Sequence, residues 1–181
     1  TRLPDVLTVE ECSEDQNTVR ELFVRALNIA LDELTAMRMR EGESLKHDML
    51  GKLDTIELLR GQIEERAPYV IEEYREKLSQ RLSALLSGDV DEARFMTEVA
   101  IFADRAAIDE ELVRLTSHIA QLRAATEIEN PVGRKLDFLV QELNREFNTI
   151  GSKASDAQIA QCVVEAKGEI EKLREQVQNI E

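Results

Sequence analysis

The sequence predicts an all-α protein of long antiparallel amphipathic helices with coiled-coil-like packing. Three observations predict it. Apolar residues recur at three- and four-residue spacing along most of the chain, only three prolines and seven glycines interrupt 181 residues, and aromatics make up 4%. Few breakers combined with abundant Ala, Glu, Leu and Arg suit helices and disfavour sheets.

The elements follow in order. After a turn at Leu3-Pro4, Thr8 and Glu11 have capping-box spacing, with Asp15 as a later start. The first helix carries Val19, Phe23, Ala26, Ala30, Leu34 and Met37 on one face, and Glu41-Gly42-Glu43 predicts a break or bend. A second helix has the stripe Leu45, Met49, Leu53, Ile56 and Ile63 and is expected to end or kink at Pro68. A third carries Ile71, Tyr74, Leu78, Leu82 and Leu85 up to the turn at 87–91. From Asp91 one long helix is expected to reach about Arg123, through Phe95, Val99, Phe102, Leu112, Leu115, Ile119 and Leu122.

Asn130-Pro131 breaks the chain before a helix with the ridge Leu136, Val140, Leu143, Phe147 and Ile150, and Gly151 is its expected stop. Ser155 and Gln158 form a second capping box. The last helix repeats Ile159, Val163, Ala166, Ile170, Leu173, Val177 and Ile180, which implies a partner helix from this chain or from another subunit. The whole divides into 1–90, an extended helical hairpin, and 91–181, a second helical domain.

Composition narrows the function classes. Cys12 and Cys162 lack CxxC spacing, so neither a disulfide framework nor a zinc site is suggested. No apolar run approaches the ~20 residues of a membrane helix and no signal peptide opens the chain, which predicts a cytoplasmic protein with no membrane partner. The chain opens on Thr1 rather than Met, which reads as a fragment of a longer one. GxxxxGK[ST], GxSxG and HExxH motifs are absent. A net charge of −14 works against nucleic-acid binding, yet residues 130–153 alone are net +1.

Two stretches concentrate chemistry. In DEELVRLTSHIAQ (109–121), Glu111, Arg114 and His118 share one helix face, beside Glu110, Ser117 and Gln121. A histidine beside carboxylates suits a metal ligand or a general acid/base, whereas an ion-pair ladder on a solvated face explains the same residues without a site. In NPVGRKLDFLVQELNREFNTIGSK (130–153), Asp137, Gln141, Asn144 and Asn148 line one flank of the ridge, with Glu142, Arg145 and Thr149 beyond it. Mid-helix Asn costs roughly 0.6 kcal/mol relative to Ala. A buried amide ladder, RNA recognition, or a carboxylate set for Mg²⁺ or Mn²⁺ would each explain the pattern.

DEELVRLTSH (109–118) and the 130–153 stretch, with MRMREGESL (37–45) and the terminal EKLREQVQNIE (171–181), resemble the bacterial YicC/YloC family over essentially the whole chain. The resemblance implies a metal-dependent endoribonuclease that cleaves single-stranded RNA, uses Mn²⁺ or Mg²⁺, assembles as a homohexamer, and has no DNA partner. It points to Glu110, Glu111, Arg114 and His118, then Gly133, Lys135, Asp137, Glu142, Asn144, Arg145, Glu146, Asn148 and Lys153. On it we expect His118, Glu111 and Glu142 in catalysis, and Glu111, Asp137, Glu142 and Glu146 as metal ligands. Arg114, Lys135, Asn144, Arg145, Asn148 and Lys153 are expected to bind RNA. The resemblance also leads us to expect that a strand-containing N-terminal region of the family lies outside this sequence. The rival expectation is an oligomerising helical scaffold whose missing N-terminal part binds the RNA.

Overall fold

The computed structural model describes residues 15–85, 91–127 and 133–178. These form five helices and no strand: α1 (Gln16–Leu85), α2 (Glu92–Ala106), α3 (Asp109–Ala125), α4 (Gly133–Lys153) and α5 (Ala157–Val177). Among them no helix is long and apolar enough to cross a membrane. The chain divides into two compact units, Thr1–Ser44 and Leu45–Glu181. The Thr8–Glu11 capping box, most of the 87–91 turn, Asn130-Pro131 and Ile180 lie outside the described residues.

Asp15 starts α1, accepting from the Asn17 amide at 3.1 Å and the Thr18 hydroxyl at 3.0 Å. The helix then continues through both expected interruptions. A single mid-helix glycine costs about 1 kcal/mol, which weakens Gly42's turn without breaking it. Pro68 lies on the exposed side of α1, as does Glu64, so the carbonyl deprived of its donor faces water. Ile63 and Val70, buried on either side of it, hold the helix in line.

In the first unit, Val19, Phe23, Leu34 and Met37 are 45–68% exposed, so the predicted apolar face is uncovered. In the second, Met49, Leu53, Ile56, Leu59 and Ile63 are buried in the core. Tyr74 stacks on Phe102 of α2 with centroids 3.7 Å apart, which seats α2 on the later turns of α1.

The single helix expected from Asp91 to Arg123 is two. Asp91 caps α2 as predicted, but Ala107 is extended (ψ 122°) and Ile108 leaves helical geometry. Asp109, Glu110 and Glu111 then occupy the first turn of α3, where three acids gain from the helix dipole they would lack in mid-helix. The break also buries Ile108, and Lys153 Nζ donates to the freed Ala107 carbonyl at 3.2 Å.

Gly151 does not stop α4, which runs to Lys153. It lies instead at a close approach of α4 to α5: a Cβ there would meet Val163 Cγ1 at 3.2 Å. Asp156, not Ser155, caps α5, accepting from the Gln158 and Ile159 amides at 3.0 Å each. Ser155 has φ 44°, and its left-handed backbone turns the chain from α4 into α5.

Residue pairs set the directions. Glu111–Lys153 and Arg114–Glu146 make α3 and α4 antiparallel, and Asn148–Lys167 does the same for α4 and α5. Lys46–Glu127 and Arg123 with Asp54 and Glu57 run α1 antiparallel to α3. Asp48–Gln176, Gln62–Cys162 and Arg66–Asp156 run it antiparallel to α5. Leu45–Glu181 thus holds a four-helix bundle, with α1 and α4 on opposite sides and α3 and α5 between them. The ridge Leu136, Val140, Leu143, Phe147 and Ile150 is at most 1% exposed, and the α5 stripe from Ile159 to Val177 is buried within the chain.

Candidate functional site

With the ridge of α4 turned to the core, 100° per residue places two polar flanks beside it. Lys135, Glu142, Glu146 and Lys153 fall on the flank toward α3. Asp137, Gln141, Asn144 and Asn148 fall on the flank toward α5.

The α3 flank is a ladder of opposite charges. At one end, Lys153 Nζ lies 2.8 Å from Glu111 Oε1, and Glu111 is only 5% exposed with its other oxygen buried and unpartnered. One turn along α3, Arg114 pairs with Glu110 and reaches Glu146 at 3.5 Å. Glu110 first, then Glu146, raises the Arg114 pKa above its ordinary value by accepting its hydrogen bonds. One more turn on, His118 meets Glu142 and Glu146, with one ligand atom from each inside a 4.8 Å group.

Glu146 is 3% exposed, so its charge needs compensation. Arg114 supplies it only at the long end of hydrogen-bond range, and a second carboxylate, Glu142, sits alongside. Two carboxylates this close repel unless a cation lies between or beside them. His118 Nδ1 is buried with no hydrogen-bond partner. An imidazole nitrogen and two carboxylates form an N/O donor set that suits Mn²⁺ well and Mg²⁺ less well, since magnesium prefers oxygen alone. The residues therefore fit a divalent cation.

The α5 flank is an amide chain. Lys167 Nζ donates to Asn148 Oδ1 at 2.8 Å, and Asn148 Nδ2 donates to Asn144 Oδ1 at 3.2 Å. Gln141 donates to Asp137 at 2.7 Å. Of these, Gln141, Asn144 and Asn148 line an open groove of about 550 Å³, together with Arg145, Thr149 and Arg174 among others.

A family model for the C-terminal part of YicC-like endoribonucleases matches residues 63–181, and one for their N-terminal region matches residues 1–47. The chain belongs to the YicC-like family. Two relatives named "Probable endoribonuclease YicC" are similar to it over 99% of its length: one from Clostridioides difficile (strain 630), 47% identical, and one from Haemophilus influenzae (strain ATCC 51907 / DSM 11121 / KW20 / Rd), 38% identical. The chain spans 62% of the length of each.

The residues expected to form a YicC-like site divide between the flanks. Three of them, His118, Glu142 and Glu146, come together. Glu111 belongs to the same ladder but is held by Lys153, outside the three-residue group. Asp137 lies on the opposite flank, bonded to Gln141. Arg114 borders the group through Glu146, and Arg145 approaches Glu142 at 3.9 Å. Lys135 is exposed on the same side of α4 and pairs with no described residue. Lys153 is engaged by Glu111 and the Ala107 carbonyl.

Sequence reasoning missed that last role. The signal was available: three acids after Ala107-Ile108 mark a helix start, and a start there exposes a carbonyl for a lysine to bind. It also missed Arg66, whose Nη2 lies 2.7 Å from Glu73 and 2.8 Å from the α5 cap Asp156. Nothing local in the sequence marks that pair, which is 90 residues apart.

Proposed function

We propose that the chain is a metal-dependent endoribonuclease acting on single-stranded RNA, with His118, Glu142 and Glu146 as the metal ligands. The observation that carries this reading is the meeting of one imidazole and two carboxylates, drawn from two antiparallel helices, beside Arg114. When bound, a divalent cation supplies Lewis-acid polarisation of a phosphodiester or activation of a water. The chain's own residues do the rest. Arg114 holds Glu146 in place and presents its remaining donors outward, being half exposed. Arg145 borders the group from α4, and Lys135 lies two turns before Glu142 on the same side of the helix, as further cations for phosphate oxygens. Glu111 acts by positioning: with Lys153 it locks the start of α3 against the end of α4. Asp137 has no place among these ligands, and Asn144 with Asn148 forms a separate polar contact line for RNA along the α5 groove.

All of these residues lie within 91–181, the proposed catalytic part, which shares its core with the 45–85 stretch of α1. The exposed apolar residues of the first unit favour assembly with further copies, the homohexamer being the form proposed, in the cytoplasm. The names of the relatives support the RNA substrate. A scaffold without chemistry would have no use for a buried carboxylate beside a second one and an orphaned imidazole nitrogen.

The test is cleavage of a labelled single-stranded RNA with Mn²⁺, with Mg²⁺ and with EDTA, by the wild-type chain and by His118→Asn, Glu142→Gln and Glu146→Gln. Metal-dependent cleavage that all three variants lose, with helical content retained, is the expected outcome. Cleavage that persists in EDTA or in the three variants sinks the assignment.

A further inference from the structure

We infer that Phe138 is a stacking platform for an unpaired base of the RNA strand, one helical turn from the metal ligand Glu142. The proposal rests on the endoribonuclease reading above and extends it to a residue on neither flank of α4.

Phe138 lies on the outward face of α4, between the two flanks, and is 58% exposed. Burying a phenyl ring stabilises a fold by about 1.5–3 kcal/mol, and at this position most of that gain is forgone. Its surroundings separate it from the other exposed rings. Phe23 sits on an apolar face with Val19 and Leu27, where a hydrophobic partner accounts for it. Tyr69 is flanked along α1 by the exposed Glu65 and Glu72, and its nearest cation, Arg66, is already engaged by Glu73 and Asp156. Phe138 has Arg134 and Lys135 one turn before it and Arg145 two turns after it, all exposed. Arg134 and Lys135 pair with no described acid, and Arg145 has only a 3.9 Å contact to Glu142.

In a chain of net charge −14, an exposed ring bordered by three available cations is complementary to a polyanion that carries aromatic bases. Glu142, one turn beyond Phe138, belongs to the metal group, so a base on the ring leaves its backbone phosphate within reach of that group. The faces of paired bases are occupied by their neighbours in a duplex, so this contact selects unpaired RNA.

Binding of a short single-stranded RNA containing 2-aminopurine, measured in EDTA so that neither metal nor cleavage contributes, tests the proposal. Wild type should bind and quench the fluorophore. Phe138→Ala should raise Kd about tenfold or more and abolish quenching, while Phe138→Trp restores both. Affinity for a blunt RNA duplex should be weaker in wild type and unchanged by Phe138→Ala. Wild-type affinity and quenching in Phe138→Ala overturn this inference and leave the nuclease reading intact. A wild-type chain that binds no RNA removes both. A shift in sedimentation coefficient on Phe138→Ala, with RNA affinity unchanged, makes the ring a protein contact and also overturns the inference.

Discussion

The two flanks of α4 are built on one ridge, yet they differ in what burial does to them. Toward α3, Glu111 and Glu146 are 5% and 3% exposed, and their charges are met by Lys153 and Arg114. Toward α5, Asn148 and Lys167 are exposed, and their hydrogen bonds compete with water. A buried charge must be compensated and is therefore fixed in place, whereas an exposed amide chain contributes little and adapts. Fixed ligands suit metal chemistry. Adaptable amides suit contacts to a strand whose sequence varies.

Removing the ligands should break the comparison most completely. Glu142→Gln or His118→Asn is expected to lower metal-dependent RNA cleavage about 100-fold or more, with the circular-dichroism melt close to wild type. Equal losses from Asn144→Ala would mean that chemistry is not confined to the α3 flank.

Next in size is the shared ridge. Phe147 is fully buried between the flanks, and Phe147→Ala should cost about 3–5 kcal/mol in denaturant unfolding. Both flanks should loosen together, with lower metal affinity and lower RNA affinity at once. Loss of one alone would show that the flanks are held independently.

The α5 side has its own anchor in Asp156. Its hydrogen bond with Arg66 foremost, then the α5 amides, hold the Asp156 pKa below the ordinary 3.8 against the opposing effect of burial. A depressed folded pKa contributes stability that is complete above the ordinary value and is lost as pH falls through the lowered one. Asp156→Asn keeps a capping oxygen but loses the charge that faces Arg66, so it should melt lower than wild type at about pH 6, by up to about 1 kcal/mol, and the gap should narrow toward about pH 3. A gap independent of pH would remove the ionised carboxylate from the explanation.

The smallest effect belongs to the amides. In Asn148→Ala the lost exposed hydrogen bond is offset by the better helix propensity of alanine, and stability should change by less than about 0.5 kcal/mol. A larger destabilisation would move Asn144 and Asn148 from adaptable contacts to a structural lock.

Much of the fold was legible in residue spacing. The stripe from Met49 to Ile63, the ridge from Leu136 to Ile150 and the α5 repeat from Ile159 to Val177 are all buried as their periodicity predicts, because a three-four pattern leaves a helix one face to hide. Helix ends were less legible. Gly42 and Pro68 read as breakers but lie within α1: a lone glycine costs only about 1 kcal/mol, and Pro68, at about 3, is held between the buried Ile63 and Val70. Ala107-Ile108 reads as helix but breaks, because the gains come from tertiary partners, a buried Ile108 and the bond from Lys153.

The sequence by itself determined the helical class, the core face of α3, α4 and α5, and the presence of two polar strips beside the α4 ridge. Periodicity fixes these, since it depends only on residue type and a 100° step. Only the tertiary structure decided which strip meets which helix. The antiparallel seating of α3 brings His118 to Glu142 and Glu146, while the same seating ties Glu111 to Lys153 and leaves Asp137 on the far side. Convergence of groups from two helices is set by how their cores interlock, a long-range property that neither helix carries alone.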